Sequence, residues 1–407
     1  MKTVVVLLII STISLQSLAQ LANSYPNDEG IENDTNVLYV EKFEDGMTNI
    51  LSRYSDKKNT EGMSLDADVP SGSLGSNSLK MTSITGGETN GGHLYRTFDP
   101  GFDSIVYVRY YVKYPSISDG YFHHESVWFG GYEPSTTYPN PRAGTCGLGD
   151  SRISIAYEPV WQQTDPIGMD TYIYWGDMKS YDDGNTCYGN PMITEGRIDY
   201  ENPPAENRPT VASDQWMCVE IMLKLNNPVT AYNGELRIWQ NGEEVGYWGT
   251  NFPNGHWLKD RWYNNSEDPA FQGFRWRTDA KLIINWIWLE FYHDDPDAPS
   301  SYIKFDHLVI AKKYIGPIYN PTNITDSQEI DLDIKIYPNP SSGVYSVRGL
   351  PLETKLSIFN LMGEKVFSET TNKTALTIDL STASKGIYFV KIETDNNITE
   401  VRKLIVK

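Results

Sequence analysis

Between Leu38 and Lys312 the chain alternates apolar and polar residues in short runs with a period of two, and it shows hardly any helical periodicity. Alternation of this kind, bounded by Gly, Pro, Asn and Asp, marks half-buried strands. The runs are Leu38 to Phe43, Ser78 to Thr82, His93 to Phe98, Ile105 to Tyr114, Ser126 to Gly130, Ile153 to Tyr157, Tyr172 to Trp175, Met217 to Leu225, Gly234 to Gln240, Glu244 to Trp248, Lys281 to Tyr292 and Tyr302 to Lys312. A dozen strands without an internal repeat predict an all-β domain over residues 36–318, folded as a two-sheet jelly-roll sandwich.

The period of two also assigns faces. In VYVRYYVKY, Val106, Val108, Tyr110 and Val112 point one way, and Tyr107, Arg109, Tyr111 and Lys113 the other. Ile287, Leu289 and Phe291 face a core and leave Trp286, Trp288, Glu290 and Tyr292 opposite. Met217, Val219, Ile221 and Leu223 alternate with a set that includes Trp216, Glu220 and Lys224, and Leu236 and Ile238 alternate with Glu235, Arg237 and Trp239. Several strands thus carry a mixed aromatic and charged face. Sugar rings have apolar C–H faces and hydroxyl edges, so such a face suits a polysaccharide. The candidate substrate-binding residues are Trp286, Trp288, Glu290, Glu220, Lys224, Arg237, Trp239 and Arg152. A solvent-facing sheet carries Arg, Lys and Tyr in any case. The functional reading therefore requires these groups to converge in a single trough.

From Ile334 onward the pattern changes to IKIYPNPSSGVYSV, TKLSIFNLMGEKVFSE and TALTIDLSTASKGIYFVKIETDNNITEVRKLIVK. Runs broken by Asn-Pro, Ser-Gly, Met-Gly-Glu and Lys-Gly predict six or seven short antiparallel strands, a second and smaller immunoglobulin-like β-sandwich over 334–407. Residues 319–333 are polar and aperiodic, as a linker is. At the other end, Lys2 precedes the apolar run Val4 to Ile10, and Ser17-Leu18-Ala19 places small residues at the −3 and −1 positions of a cleavage site. Residues 1–19 read as a secretory signal peptide cut after Ala19. The apolar run is too short for a membrane span.

Composition narrows the partners. The 407 residues carry 34 Lys and Arg against 53 Asp and Glu, a formal charge of −19, with 13% aromatic residues, 32 Gly and 23 Pro. That mixture excludes disorder, collagen and coiled coil. A chain this acidic is repelled by polyphosphate, which argues against a nucleic-acid partner. The charge is uneven: residues 1–330 hold 24 basic and 44 acidic side chains, and residues 331–407 hold 10 and 9. Of the three Cys, Cys146 and Cys187 both lie in Gly-rich loops and are paired here as a disulfide, which an exported chain permits. Cys218, inside WMCVEIML, reads as a buried inert thiol. No clustered His/Cys set suggests zinc, and no Gly loop opening a helix suggests a nucleotide cofactor.

Two resemblances follow from short phrases. Tyr337-Pro338-Asn339-Pro340, Gly343, Gly363, Gly386-Ile387-Tyr388 and Lys403-Leu404-Ile405-Val406-Lys407 resemble the C-terminal sorting domain of the type IX secretion system. That resemblance implies periplasmic entry, passage through the outer membrane by the type IX machinery, and a secreted or cell-surface location. Within the larger domain, GSNSLKM, GGHLYRTFDPG, VYVRYYVKYP, WFGG, QWMCVEIMLKLN with NGELRIWQNGEEV, and YIKFDHLVIAKKYIGP resemble concanavalin A-like jelly rolls of the alginate- and glucuronan-lyase kind. Those lyases follow the VRYYVKF-like strand with a Lys-Leu-Pro-Gly-like phrase. This chain has His123-His124-Glu125-Ser126-Val127-Trp128 there, a departure that falls on the family's catalytic Lys.

A polysaccharide lyase removes H5 of a uronate and expels the 4-O substituent. It needs a cation or donor for the carboxylate, a base, and an acid for the leaving oxygen. The candidates are Arg109 as neutraliser, Tyr111 or His124 as base, Lys113 as a further cation and Tyr292 as acid, with Arg152 and Arg277 in reserve. Only one of His123 and His124 can serve, because neighbours in a strand face opposite ways. Two other readings stay open: a lectin-like surface protein that only holds glycan, and a glycoside hydrolase using Glu220 with Glu290, for which no Glu-x-Asp-x-x-Glu phrase is present in the domain. A structural calcium fits the acidic loops Glu44-Asp45-Gly46 near Asp306 and His293-Asp294-Asp295-Pro296-Asp297, where solvated turns are the plainer explanation.

Overall fold

The computed structural model describes residues 20–84, 91–116, 124–137, 144, 146, 151–159, 165–181, 184–193, 209–293, 300–321, 334–352, 354–360, 365–393 and 399–407. The expected signal peptide and all but the first residues of the expected linker lie outside them, as does His123. Two compact units divide the chain, Met1–Asn320 and Pro321–Lys407. Among the described residues no helix is long and apolar enough to cross a membrane.

The larger unit is a sandwich of two antiparallel sheets. One has eight strands, in the order Glu243–Trp248, Glu235–Gln240, Trp216–Lys224, Ile105–Lys113, Tyr302–Ala311, Ser78–Thr82 and Met63–Asp66, with Val37–Glu41 also paired to Tyr302–Ala311. The other has seven, in the order Thr210–Val211, Ile167–Tyr174, Arg152–Pro159, Glu125–Tyr132, Ile284–Phe291, Gly92–Phe102 and Asp56–Lys58. Every run named above is a strand within the usual shift of a few residues at the ends. Pairs such as Met63–Asp66, Gly255–Leu258 and Arg261–Asn264 were not signalled, because strands this short are held by their partners more than by their own alternation.

The core lies where the two inner faces meet. Val106, Val108, Tyr110 and Val112 from one sheet pack with Val127, Phe129, Ile153, Ile155, Ile287 and Leu289 from the other, all but completely buried. Each such side chain contributes about 1.5–3 kcal/mol on leaving water. The faces read from sequence for these strands are therefore the observed ones. Which sheet a strand joins is a separate matter, and it decides the position of the site.

In the smaller unit a three-stranded sheet, Lys335–Tyr337, Val344–Arg348 and Ala375–Asp379, accompanies a four-stranded one, Lys365–Thr371, Thr354–Asn360, Gly386–Glu393 and Thr399–Val406. Tyr345, Val347, Leu356, Ile358, Ile378, Val390, Ile392 and Leu404 form its own buried core. Alternation along Gly386–Glu393 supplies Tyr388, Val390 and Ile392 to that core.

Candidate functional site

The expected single trough is not formed: the candidate residues divide between the outer faces of two different sheets. Arg109, Tyr111, Lys113, Glu220, Lys224, Arg237 and Trp239 belong to the eight-stranded sheet. Much of that face is sealed by residues 20–36 and 312–320. Arg109 is fully buried and gives its guanidinium to both carboxylate oxygens of Asp28 and to the carbonyls of Gly316 and His307. The phenol of Tyr111 accepts the Ile318 N–H at 2.8 Å, and the Glu220 carboxylate accepts the N–H groups of Ile315 and Gly316 at 2.7 and 2.8 Å. Trp239 packs on Tyr314 with ring centroids 4.8 Å apart. Lys113 pairs with Asp68 and Asp214, Lys224 with Glu235, and Arg237 with Glu244. Arg109, Tyr111, Glu220 and Trp239 hold the N-terminal segment and the segment after the last strand in place, whereas Lys113, Lys224 and Arg237 pair with carboxylates of neighbouring strands and loops, and the neutraliser and base roles expected of Arg109 and Tyr111 do not fit their sealed positions. Arg277, the other reserve cation, is also structural, bonded to the carbonyls of Ala280 and Leu282 and to Asp103. Glu220 and Glu290 lie on different sheets, so they cannot form a hydrolase pair.

The outer face of the seven-stranded sheet has a different character. Register sets Trp288 opposite Trp128 on one side and Tyr95 on the other, and Trp286 opposite Gly130 and Thr97. With Ala156, these rings form an apolar cluster separated from the main core by the sheet itself. Gly130 makes this possible: a Cβ there would lie 1.9 Å from the Ile153 carbonyl oxygen and 3.1 Å from the Trp286 ring. Next in the sheet, Ser154 and Ala156 face Tyr174 and Tyr172, so small residues alternate with rings across the strands.

A line of polar groups runs beside this floor. His124 Nδ1 is 2.8 Å from Glu158 Oε1, and its ring lies 4.6 Å from that of Tyr172. The hydroxyls of Tyr172 and Tyr174 are 2.9 Å apart, and the Arg152 guanidinium sits 4.3 Å above the Tyr174 ring. Arg152 and Glu158 are six residues apart on one strand, about 20 Å of extended chain. Two strands over from Glu158, Glu290 faces His93 across the ladder, with His93 Nδ1 and Glu290 Oε2 4.0 Å apart, and His93 Nε2 is 3.3 Å from Asp56. Tyr292 lies at the edge, its ring 5.9 Å from His124.

The electrostatics follow from burial. Glu290 is pushed well above the usual carboxylate range by burial, with Lys58 pulling it back and Glu158 adding to the push, so burial favours its neutral form. Burial raises the Tyr174 phenol to about 12, against the opposing effects of Tyr172 and Arg152, and keeps it a hydrogen-bond donor. Burial lowers His93, partly offset by Asp56. In the tautomer that carries its proton on Nδ1, His124 donates to Glu158 Oε1 and keeps the lone pair on Nε2. Five buried atoms on this face, Trp128 Nε1, Trp286 Nε1, Arg152 Nη1, Glu158 Oε2 and Glu290 Oε2, make no hydrogen bond among the described residues. Leaving such a group unmade costs about 1–3 kcal/mol each, so this concentration of donors and acceptors suits a polar ligand.

Cys146 and Cys187 are joined by a disulfide, and Gly189, two residues on, packs on the Tyr172 ring so closely that a Cβ would lie 2.8 Å from it. Cys218 is a free, buried thiol that burial raises to about 12. Among the described residues no group of three or more His, Cys, Asp or Glu side chains could hold a metal ion. At the first proposed calcium loop the Glu44 carboxylate instead accepts the N–H groups of Ser76 and Asn77, and residues 294–297 of the second lie outside the described residues. Trp128, Glu158, Tyr172, Tyr174, His93 and Tyr95 were not singled out from sequence. The same period-two reading applied to residues 152–158 and 172–174 would have put Arg152, Ala156 and Glu158 on one face and Tyr172 with Tyr174 on another.

Residues 335–407 match the family described as the secretion system C-terminal sorting domain, and the chain is accordingly exported across the outer membrane, to the surface or the medium. No curated protein sequence matches the chain. Among solved structures it is similar to the marine PL-14 alginate lyase from Aplysia kurodai, at 13% identity over 69% of this chain and 100% of that one, with a TM-score of 0.41. It is also similar to alginate lyase Aly36B, at 14% identity over 70% and 96% with a TM-score of 0.37. A third is the endo-β-1,4-glucuronan lyase from the fungus Trichoderma reesei, at 12% over 69% and 92% with a TM-score of 0.33.

Proposed function

We propose that the outer face of the seven-stranded sheet binds a uronate-containing polysaccharide and cleaves it by β-elimination. The observation that carries this reading is the line from Glu158 and His124 through Tyr172 and Tyr174 to Arg152, beside a floor of three tryptophans. Its length of about 20 Å exceeds one sugar and calls for a polymer. Its groups are those that elimination needs.

In this mechanism His124 Nε2, oriented by Glu158, takes H5 from the uronate. Glu290, whose neutral form burial favours, donates a hydrogen bond to the carboxylate of the reacting unit and so favours the enolate-like charge that develops there. Tyr172, hydrogen-bonded to Tyr174, donates the proton to the departing 4-oxygen. Arg152 pairs with the carboxylate of a unit further along the chain. The indole rings, all but covered, form the apolar floor of the site, and the Nε1 groups of Trp128 and Trp286 add donors that make no hydrogen bond among the described residues.

The test is incubation of the purified chain with a panel of uronic and neutral glycans, following the ultraviolet absorbance of the C4=C5 double bond alongside reducing ends. Both signals rising together on a uronic glycan is the expected result. Reducing ends without the absorbance would replace elimination with hydrolysis, and retained binding without either signal would replace it with a lectin.

A further inference from the structure

A second group of catalytic type lies on the other sheet, among residues the proposed glycan site does not use. His307, on the strand Tyr302–Ala311, has Nδ1 2.9 Å from Asp28 Oδ2 and Nε2 2.8 Å from Ser73 Oγ. Asp28 and His307 are buried, at 0% and 3% exposure, whereas Ser73 is half-buried on the loop between Asp66 and Ser78. We propose that Ser73, His307 and Asp28 are the nucleophile, base and orienting carboxylate of a serine esterase site acting on short-chain acyl esters.

The three side chains come from separate parts of the chain and meet with both hydrogen bonds in the range such a triad requires. Asp28 serves only while ionised. Burial alone would raise it, but Arg109 and His307 outweigh that effect and hold it well below the usual carboxylate range. Burial, helped by Arg109 and Lys42, lowers His307 against the pull of Asp28, which favours the neutral imidazole whose Nε2 takes the proton. The strand is distorted at this point: His307 has φ 44°, and the register shifts between Asp306 and Val309, which turns the imidazole towards the Ser73 loop.

In the reaction the Ser73 hydroxyl proton passes to His307 Nε2 as Oγ bonds to the ester carbonyl carbon. The tetrahedral adduct collapses with cleavage of the bond to the alcohol oxygen, which leaves with the proton from Nε2. Water then adds to the acyl-serine, its proton going to Nε2, and the acid departs as the serine hydroxyl is restored. The net change is ester plus water to acid plus alcohol. The N–H of Leu74, the residue after the nucleophile, is not among the hydrogen bonds of the described residues and can meet the developing oxyanion, as in other serine hydrolases. Space sets the acyl length. A Cβ on Gly75 would lie 2.3 Å from the Glu44 carboxylate and one on Gly72 3.1 Å from Ile318, so the loop is hemmed in on both sides, which suits acetyl better than a long chain.

The test uses the full chain with p-nitrophenyl acetate and a fluorophosphonate probe. The expected result is a probe adduct on Ser73 by peptide mass spectrometry and ester hydrolysis that falls at least about 1,000-fold in both Ser73→Ala and His307→Gln. Ser73→Ala removes the partner of His307 Nε2 and of the Gly75 N–H, so its melting temperature is measured beside the parent's, while its action on glycan, at a site that does not use Ser73, stays that of the parent. Absence of the adduct, or ester hydrolysis by Ser73→Ala equal to the parent, overturns the proposal and leaves the cluster an anchor for the N-terminal segment. Either outcome is independent of whether the glycan face eliminates, hydrolyses or only binds.

Discussion

Arg109 and Asp28, 81 residues apart in sequence, form an ion pair with both side chains fully out of water. The pair fastens the N-terminal segment over the eight-stranded sheet and closes that part of its outer face to a large ligand. On the outer face of the seven-stranded sheet, by contrast, five buried donors and acceptors make no hydrogen bond among the described residues.

Replacing Arg109 by Met should therefore act on stability. It strands the Asp28 carboxylate in the interior, a loss of about 3–5 kcal/mol for a buried pair broken from one side. Urea denaturation measures the loss. Glycan turnover per folded molecule should match the parent, and a selective fall in turnover would return Arg109 to the active site.

His124→Ala should lower turnover on a uronic glycan by about 100- to 10,000-fold, the range for removing a general base. Arg152→Ala, which touches a neighbouring unit, should instead raise KM by about tenfold with turnover nearly kept, as for loss of uniform binding. Steady-state kinetics of the two variants separates the roles. Equal effects on both constants in both variants would contradict them.

Glu290 is useful to an anionic substrate only while neutral, and burial holds it so well above the usual range. Activity should decline at alkaline pH as Glu290 ionises and repels the uronate. Glu290→Gln keeps a neutral donor and should retain most of the activity near pH 7 while losing that alkaline decline. A pH–rate profile of the variant that superimposes on the parent would show that Glu290 does not face the substrate.

Glu220 is raised to about 7 by burial, against the opposing pull of the Ile315 and Gly316 N–H groups and Arg109, from an ordinary value of 4.5. The folded chain thus keeps a proton that the unfolded chain releases first, and stability falls as pH rises from 4.5 to about 7 and then levels off. The contribution is on the order of 3 kcal/mol. Denaturation free energies across that window should show the parent losing this amount relative to Glu220→Gln. Parallel curves would mean that Glu220 is ionised throughout.

Much of the molecule was legible as alternation. Val106, Val108, Tyr110 and Val112 fall in the core because every second residue of a strand shares a face, and hydrophobic burial rewards only one choice of face. The tail from Ile334 was equally plain, since its turns are marked by Asn-Pro and Gly at short intervals. Trp286, Trp288 and Glu290 were singled out on the correct side of their strand for the same reason.

A period of two reports the side of a strand but carries nothing about its neighbours. Arg109 and Glu290 looked equivalent in sequence, each charged and each opposite an apolar set. They differ because hydrogen bonding places Ile105–Lys113 beside Tyr302–Ala311 and Ile284–Phe291 beside Gly92–Phe102, in separate sheets. Sequence by itself determined the strands, the inner faces and the export domain, all of which depend on local pattern. Tertiary structure alone decided that Asp28 covers Arg109, that His124 meets Glu158 and that His307 reaches Ser73, because those contacts are set by long-range pairing that no local spacing encodes.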